Sequence, residues 1–198
     1  MLKYKVGMAF VLTLTLVCAL AVITNAEKPF APNVDLKSGA ISVPDNYTRW
    51  ATLGTWAHAN TEGKPGSHEY HVVYTQPETI DYYQEHGRYP DGAVLVKELL
   101  HAETMQMTTG PAISHATKIK GWFVLVRDTE GRFENSKLWG DGWGWSLFNA
   151  PDSKNTVSTN YQENCLACHL PARDLAGDDV HEEDKWIYTI GYPVLNKS

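Results

Sequence analysis

The 198-residue sequence predicts an α+β fold, mainly antiparallel β-sheet with few short helices. Three observations carry that expectation. Apolar residues alternate in short runs rich in Val, Tyr and Trp; Gly, Pro and Asp punctuate the runs; and the sustained 3.6-residue period of a helix bundle is absent.

Residues 27–46, rich in Pro, Asn and Ser, read as an extended N-terminal arm before a single domain over 47–198. Residues 49–58 fit a helix start running into a strand, without a choice between the two. Residues 61–67 hold two Gly and a Pro and form a loop. Residues 69–75 alternate around Tyr70, Val72 and Tyr74 as a strand. Pro77-Glu78 opens a short helix that Gly87 closes. Residues 93–100 form a strand with Leu95, Lys97 and Leu99 on one face and Val94, Val96 and Glu98 on the other. Residues 113–126 make one or two strands, and 128–131 a turn. Residues 143–148 make a further strand, whose glycines imply a bulge or close approach by something flat. Residues 162–170 supply a helical turn that Pro171 stops.

Lys+Arg number 17 against 23 Asp+Glu, a net charge of −6 that argues against a nucleic-acid partner. With 43% hydrophobic and 20% charged residues the chain is globular. Lys3 and Lys5 precede an apolar run from 6 to 23, and Thr24-Asn25-Ala26 supplies a cleavage site. Residues 1–26 therefore read as a signal peptide directing the protein to the periplasm. An uncleaved anchor competes, since about 18 apolar residues just span a bilayer. Cleavage removes two lysines and takes the charge to −8, leaving a soluble chain with no membrane contact that buries roughly 70% of its unfolded surface.

Three cysteines exclude a disulfide-dense scaffold. Cys18 leaves with the signal, so the mature chain keeps Cys165-Leu166-Ala167-Cys168-His169. This is the spacing of c-type haem attachment: two thiols add to the vinyl groups, and His169 follows as the axial iron ligand. Competing readings are a zinc site, which lacks two further ligands apart from nearby His181, a redox-active dithiol, and a short structural disulfide.

Further stretches extend the pattern: Asn46-Tyr47-Thr48-Arg49-Trp50, Gly54-Thr55, Val73-Tyr74, Pro77-Glu78, residues 91–99 (Asp-Gly-Ala-Val-Leu-Val-Lys-Glu-Leu), the aromatic strand, Pro151-Asp152 and Tyr192-Pro193-Val194-Leu195. In this order they resemble the cytochrome P-460 family, which includes the cytochrome c-prime-beta branch. The resemblance implies a β-sheet homodimer holding one c-type haem, five-coordinate with an open distal side. It implies oxidation of hydroxylamine to nitric oxide or nitrous oxide, with a small redox protein as electron acceptor. It also makes Lys97 the position of a lysine cross-linked to a haem meso carbon. The competing reading of Lys97 is a solvated strand lysine on the outer face; against it, Lys97 shares its face with Leu95 and Leu99, and a desolvated amine is the neutral nucleophile such a bond needs.

At the family's distal arginine stands His71, a departure. It is either a proton acceptor near neutral pH or a strand histidine facing solvent. Asp152 and Glu163 are candidates for a distal carboxylate. Trp122, Phe123, Trp143, Trp145 and Phe148 are expected to enclose the haem. The alternatives to an enzyme are a nitric oxide- or carbon monoxide-binding haem protein, and an electron carrier with Met105, Met107, His101 or His115 as sixth ligand.

Overall fold

The computed structural model describes residues 30–196; the expected signal peptide at 1–26, with Cys18, and the first residues of the expected arm lie outside the described residues. The strands are β1 (Ala51–Ala59), β2 (Ser67–Thr75), β3 (Val94–Met107), β4 (Gly110–Arg127), β5 (Trp139–Gly140) and β6 (Trp143–Asn149). They form one sheet in the order β1-β2-β3-β4-β6-β5, with every neighbouring pair antiparallel. The helices are α1 (Pro77–His86), α2 (Tyr161–Asn164) and α3 (Leu166–Leu175), followed by three short 3-10 turns. Among the described residues no helix is long and apolar enough to cross a membrane.

The ambiguous stretch at 49–58 resolves into a 3-10 turn, Tyr47–Arg49, running directly into β1. Residues 113–126 belong to a single strand, β4, whose 18 residues form a long hairpin with β3. Helix α1 begins with Pro77 in its first turn and ends at Gly87, whose left-handed φ of 68° suits a residue without Cβ. In β6 the flat neighbour of Gly144 is the protein's own Trp139 indole, 2.7 Å from where a Cβ would stand.

Pro171 does not stop its helix. The chain breaks instead at Cys165, and α3 starts afresh at Leu166 and passes through Pro171 to Leu175. Contacts beyond the proline hold it: Ala172 is buried, and Arg173 lies over the Trp186 ring and pairs with Glu182. Tertiary packing here outweighs the one backbone donor that proline removes.

Both faces of the sheet are covered, which is why β3 is apolar on both. Val94 and Val96, with Trp122, Val124, Val126 and Phe148, pack under residues of the 30–50 segment, including Ala31, Val34, Ile41, Val43 and Tyr47. Glu98 is buried on this side, bonded to Tyr47, which also accepts from Trp122 Nε1 at 2.8 Å. Leu53, Val73, Leu95, Trp143 and Trp145 face the opposite way, toward the C-terminal segment of Tyr161, Cys165, Trp186, Ile187, Tyr192 and Leu195. The candidate site lies in this second layer.

Candidate functional site

A half-open cavity of about 400 Å³ lies between the sheet and the C-terminal helical segment. Its size falls in the range of small-molecule and cofactor sites. One wall is a set of residues two apart on successive strands: Trp56 and His58, His71 and Val73, Leu95 and Lys97, Phe123 and Leu125, then Trp145. Register explains the set. Trp56 pairs with His71, Val73 with Lys97, Lys97 with Phe123, and Leu125 with Trp145. Cys165, Cys168 and His169 contribute to the facing wall with Ile187, Tyr188 and Tyr192. The cavity therefore brings together Cys165, Cys168, His169, Lys97 and His71.

Cys165, Cys168 and His169 stand at i, i+3 and i+4 around the start of α3, which directs them to one side of a single turn. Both thiols are free, Cys165 buried and Cys168 exposed. His169 Nδ1 lies 2.7 Å from the Trp186 carbonyl oxygen. A carbonyl only accepts, so Nδ1 carries the proton and Nε2 is left with the lone pair. Burial pushes His169 down to about 4, with the Trp186 carbonyl opposing and Lys97 adding to the fall. The imidazole is thus neutral at physiological pH, and its free nitrogen is oriented as metal-ligating histidines are, by a second partner on the other nitrogen. Trp145 braces the ring edge-on at 5.0 Å between centroids. Tyr188 donates to the Cys168 carbonyl at 2.6 Å, tying the motif to the segment that carries Trp186.

Lys97 is partly buried, with Nζ 4.5 Å from the centre of the Phe123 ring. Burial lowers its pKa, opposed by the charges of Cys168, Glu69 and Cys165. His71 faces the cavity, not the solvent. Burial holds it below its ordinary value; the Glu69 hydrogen bond opposes this, while Lys97 and His58 reinforce it.

The distal carboxylate candidates are not here. Exposed Asp152 accepts from Lys154 and Asn155 in its own turn, and exposed Glu163 from Asn160. The carboxylate in place is Glu69, 2.6 Å from His71 Nε2. Of the five aromatics, Phe123 and Trp145 line the cavity; Trp122 and Phe148 pack on the other face, and Trp143 lies deeper, donating to the Glu183 carbonyl. Met105, Met107, His101 and His115 are exposed along the β3–β4 hairpin and do not line the cavity. His58 does, with its ring 4.1 Å from that of His71. Sequence reasoning passed over it; the usable signal was its position two residues after Trp56 in a strand.

The donor set fits a haem. Two thiols and one oriented, neutral imidazole converge on an apolar space, while no group of three His, Cys, Asp or Glu among the described residues could hold a bare metal ion. Such a site defines a c-type cytochrome, here carried on an antiparallel sheet. The chain belongs to the cytochrome P460 family, whose model matches residues 44–188, and its cofactor is haem c. Family members are typically exported. A search of curated proteins found no match.

Proposed function

We propose that this chain is a periplasmic mono-haem cytochrome that oxidises hydroxylamine to nitric oxide, or onward to nitrous oxide. The observation that carries the reading is a lysine amine inside the apolar cavity that also holds the Cys165–His169 motif. On this reading Cys165 and Cys168 hold the haem as thioethers, His169 ligates its iron, and Lys97 is bonded to a meso carbon. The haem supplies a redox-active iron that withdraws electrons from bound substrate.

The protein's own groups do the rest. His169 offers Nε2 because Trp186 occupies Nδ1. Burial of Lys97 lowers its pKa and favours the neutral, nucleophilic form of the amine. Leu95, Phe123, Leu125 and Ile187 keep bulk water from the reacting atoms. Oxidation of hydroxylamine to nitric oxide releases as many protons as electrons. His71, neutral near physiological pH, accepts protons in the cavity. Electrons then leave to a small redox protein, and the chain works as a homodimer.

Purified holoprotein with hydroxylamine and a dye acceptor tests the activity. The expected result is acceptor reduction that depends on hydroxylamine. Tight nitric oxide or carbon monoxide binding with no turnover would replace the enzyme by a gas-binding protein. A six-coordinate low-spin spectrum in both oxidation states would replace it by an electron carrier.

A further inference from the structure

We propose that Glu69 is a positioning residue for His71: it fixes the imidazole's tautomer and steadies its protonated form, while Lys120 clamps the carboxylate from the surface. The proposal rests on the reading of His71 as the cavity's proton acceptor.

Glu69 and His71 are two apart on β2, so their side chains share the cavity face. The Glu69 side chain is only 12% exposed, and each of its oxygens has one partner. Oε1 lies 2.6 Å from His71 Nε2, and Oε2 accepts from Lys120 Nζ at 2.6 Å. An ionised carboxylate only accepts, so His71 holds its proton on Nε2 and keeps Nδ1 as the basic nitrogen. A proton transferred from substrate goes to the Nδ1 lone pair, and its bonding electrons stay on the substrate. The resulting imidazolium then faces the Glu69 charge. A carboxylate plays this part toward histidine in hydrolytic triads.

Lys120 reaches Glu69 through a break in register. Leu99 pairs with Gly121 and Leu100 with Ile119, which leaves Lys120 as the extra residue of a bulge on β4. Strict alternation would send its side chain to the face of Trp122 and Val124; the bulge re-aims it toward Glu69. Burial alone would raise the Glu69 carboxyl, but hydrogen bonds and charge from Lys120 and His71 hold it at about 2. The dyad therefore carries its negative charge throughout the range in which His71 titrates. The other charged or titratable groups facing His71 are His58 from β1 and Lys97 from β3.

The test is the pH dependence of the holoprotein's reduction potential, which needs no substrate. Wild type is expected to show an interval of falling potential that His71→Asn removes. In Glu69→Gln that interval moves to lower pH by about one unit or more, because the imidazolium loses its counter-charge. In Lys120→Met, a change at a side chain 48% exposed, it moves the opposite way. In the hydroxylamine assay Glu69→Gln lowers kcat by about 10- to 100-fold, the size of a lost orienting partner. An interval at the wild-type pH in both variants, or one that persists in His71→Asn, overturns the proposal. Shifted intervals with no hydroxylamine turnover in wild type would sink the enzyme reading and leave the dyad standing.

Discussion

On the proposed cross-link, Lys97→Leu is expected to leave haem attached through Cys165 and Cys168, to return the reduced Soret band to the position of an ordinary c-type cytochrome, and to abolish hydroxylamine-dependent turnover. Leucine suits a wall already made of Leu95, Phe123 and Leu125, and it removes a desolvated amine, so folding is not compromised. A substituent at a meso carbon perturbs the conjugated ring and moves its main absorption to the red. Loss of that bond is therefore read directly in the spectrum. Spectrum and turnover should change together. A variant with an unshifted Soret band and full activity would separate Lys97 from both.

Arg127→Met is expected to be the most damaging substitution away from the cavity, costing about 3–5 kcal/mol of stability, as removal of one partner from a buried ion pair does. Arg127 Nε lies 3.6 Å from Asp184 Oδ1, and the Asp184 side chain is fully buried at 0% exposure. Asp184 also accepts from the Tyr89 backbone at 2.9 Å, and Arg127 donates to the Gly142 carbonyl at 2.7 Å. Burial raises Asp184 to about 6, with the Tyr89 N–H and Arg127 opposing. Without Arg127 the carboxyl rises further. The penalty is then full above the variant's raised pKa, fades as pH falls from there to the native value of about 6, and has lost its Asp184 part below it, where the group is neutral in both proteins. Thermal unfolding at neutral pH should show a Tm lower by roughly 10 °C, with the gap narrowing toward pH 5. The effect reaches the haem site because Asp184 anchors the 3-10 turn Glu182–Trp186, whose last carbonyl fixes His169. A Tm unchanged at neutral pH would remove this pair as the anchor.

What the sequence made legible was local. Alternation marked β2 and the start of β3, Pro77 and Gly87 bounded α1, and the cysteine spacing named the cofactor. The inward face of Lys97 followed from its parity with Leu95. What stayed hidden depends on register between strands. His58 and His71 become neighbours only because β1 and β2 pair with Trp56 opposite His71. Glu69 acquires Lys120 only through a bulge that no alternation rule foresees. Asp152 and Glu163 were nearer the haem motif in sequence, yet local turns and caps absorb them. The arm at 27–46 looked polar, but Val34, Ile41 and Val43 are spaced to cover the second face of a sheet that is apolar on both sides.

Tryptic digestion of the holoprotein with mass spectrometry tests the central claim most directly. Cleavage after Lys154 and Arg173 releases residues 155–173 with both cysteines. A modified Lys97 resists trypsin, so residues 89–118 should appear as one peptide joined through haem to 155–173. A haem peptide of 155–173 alone, with 89–97 released free, would contradict the account.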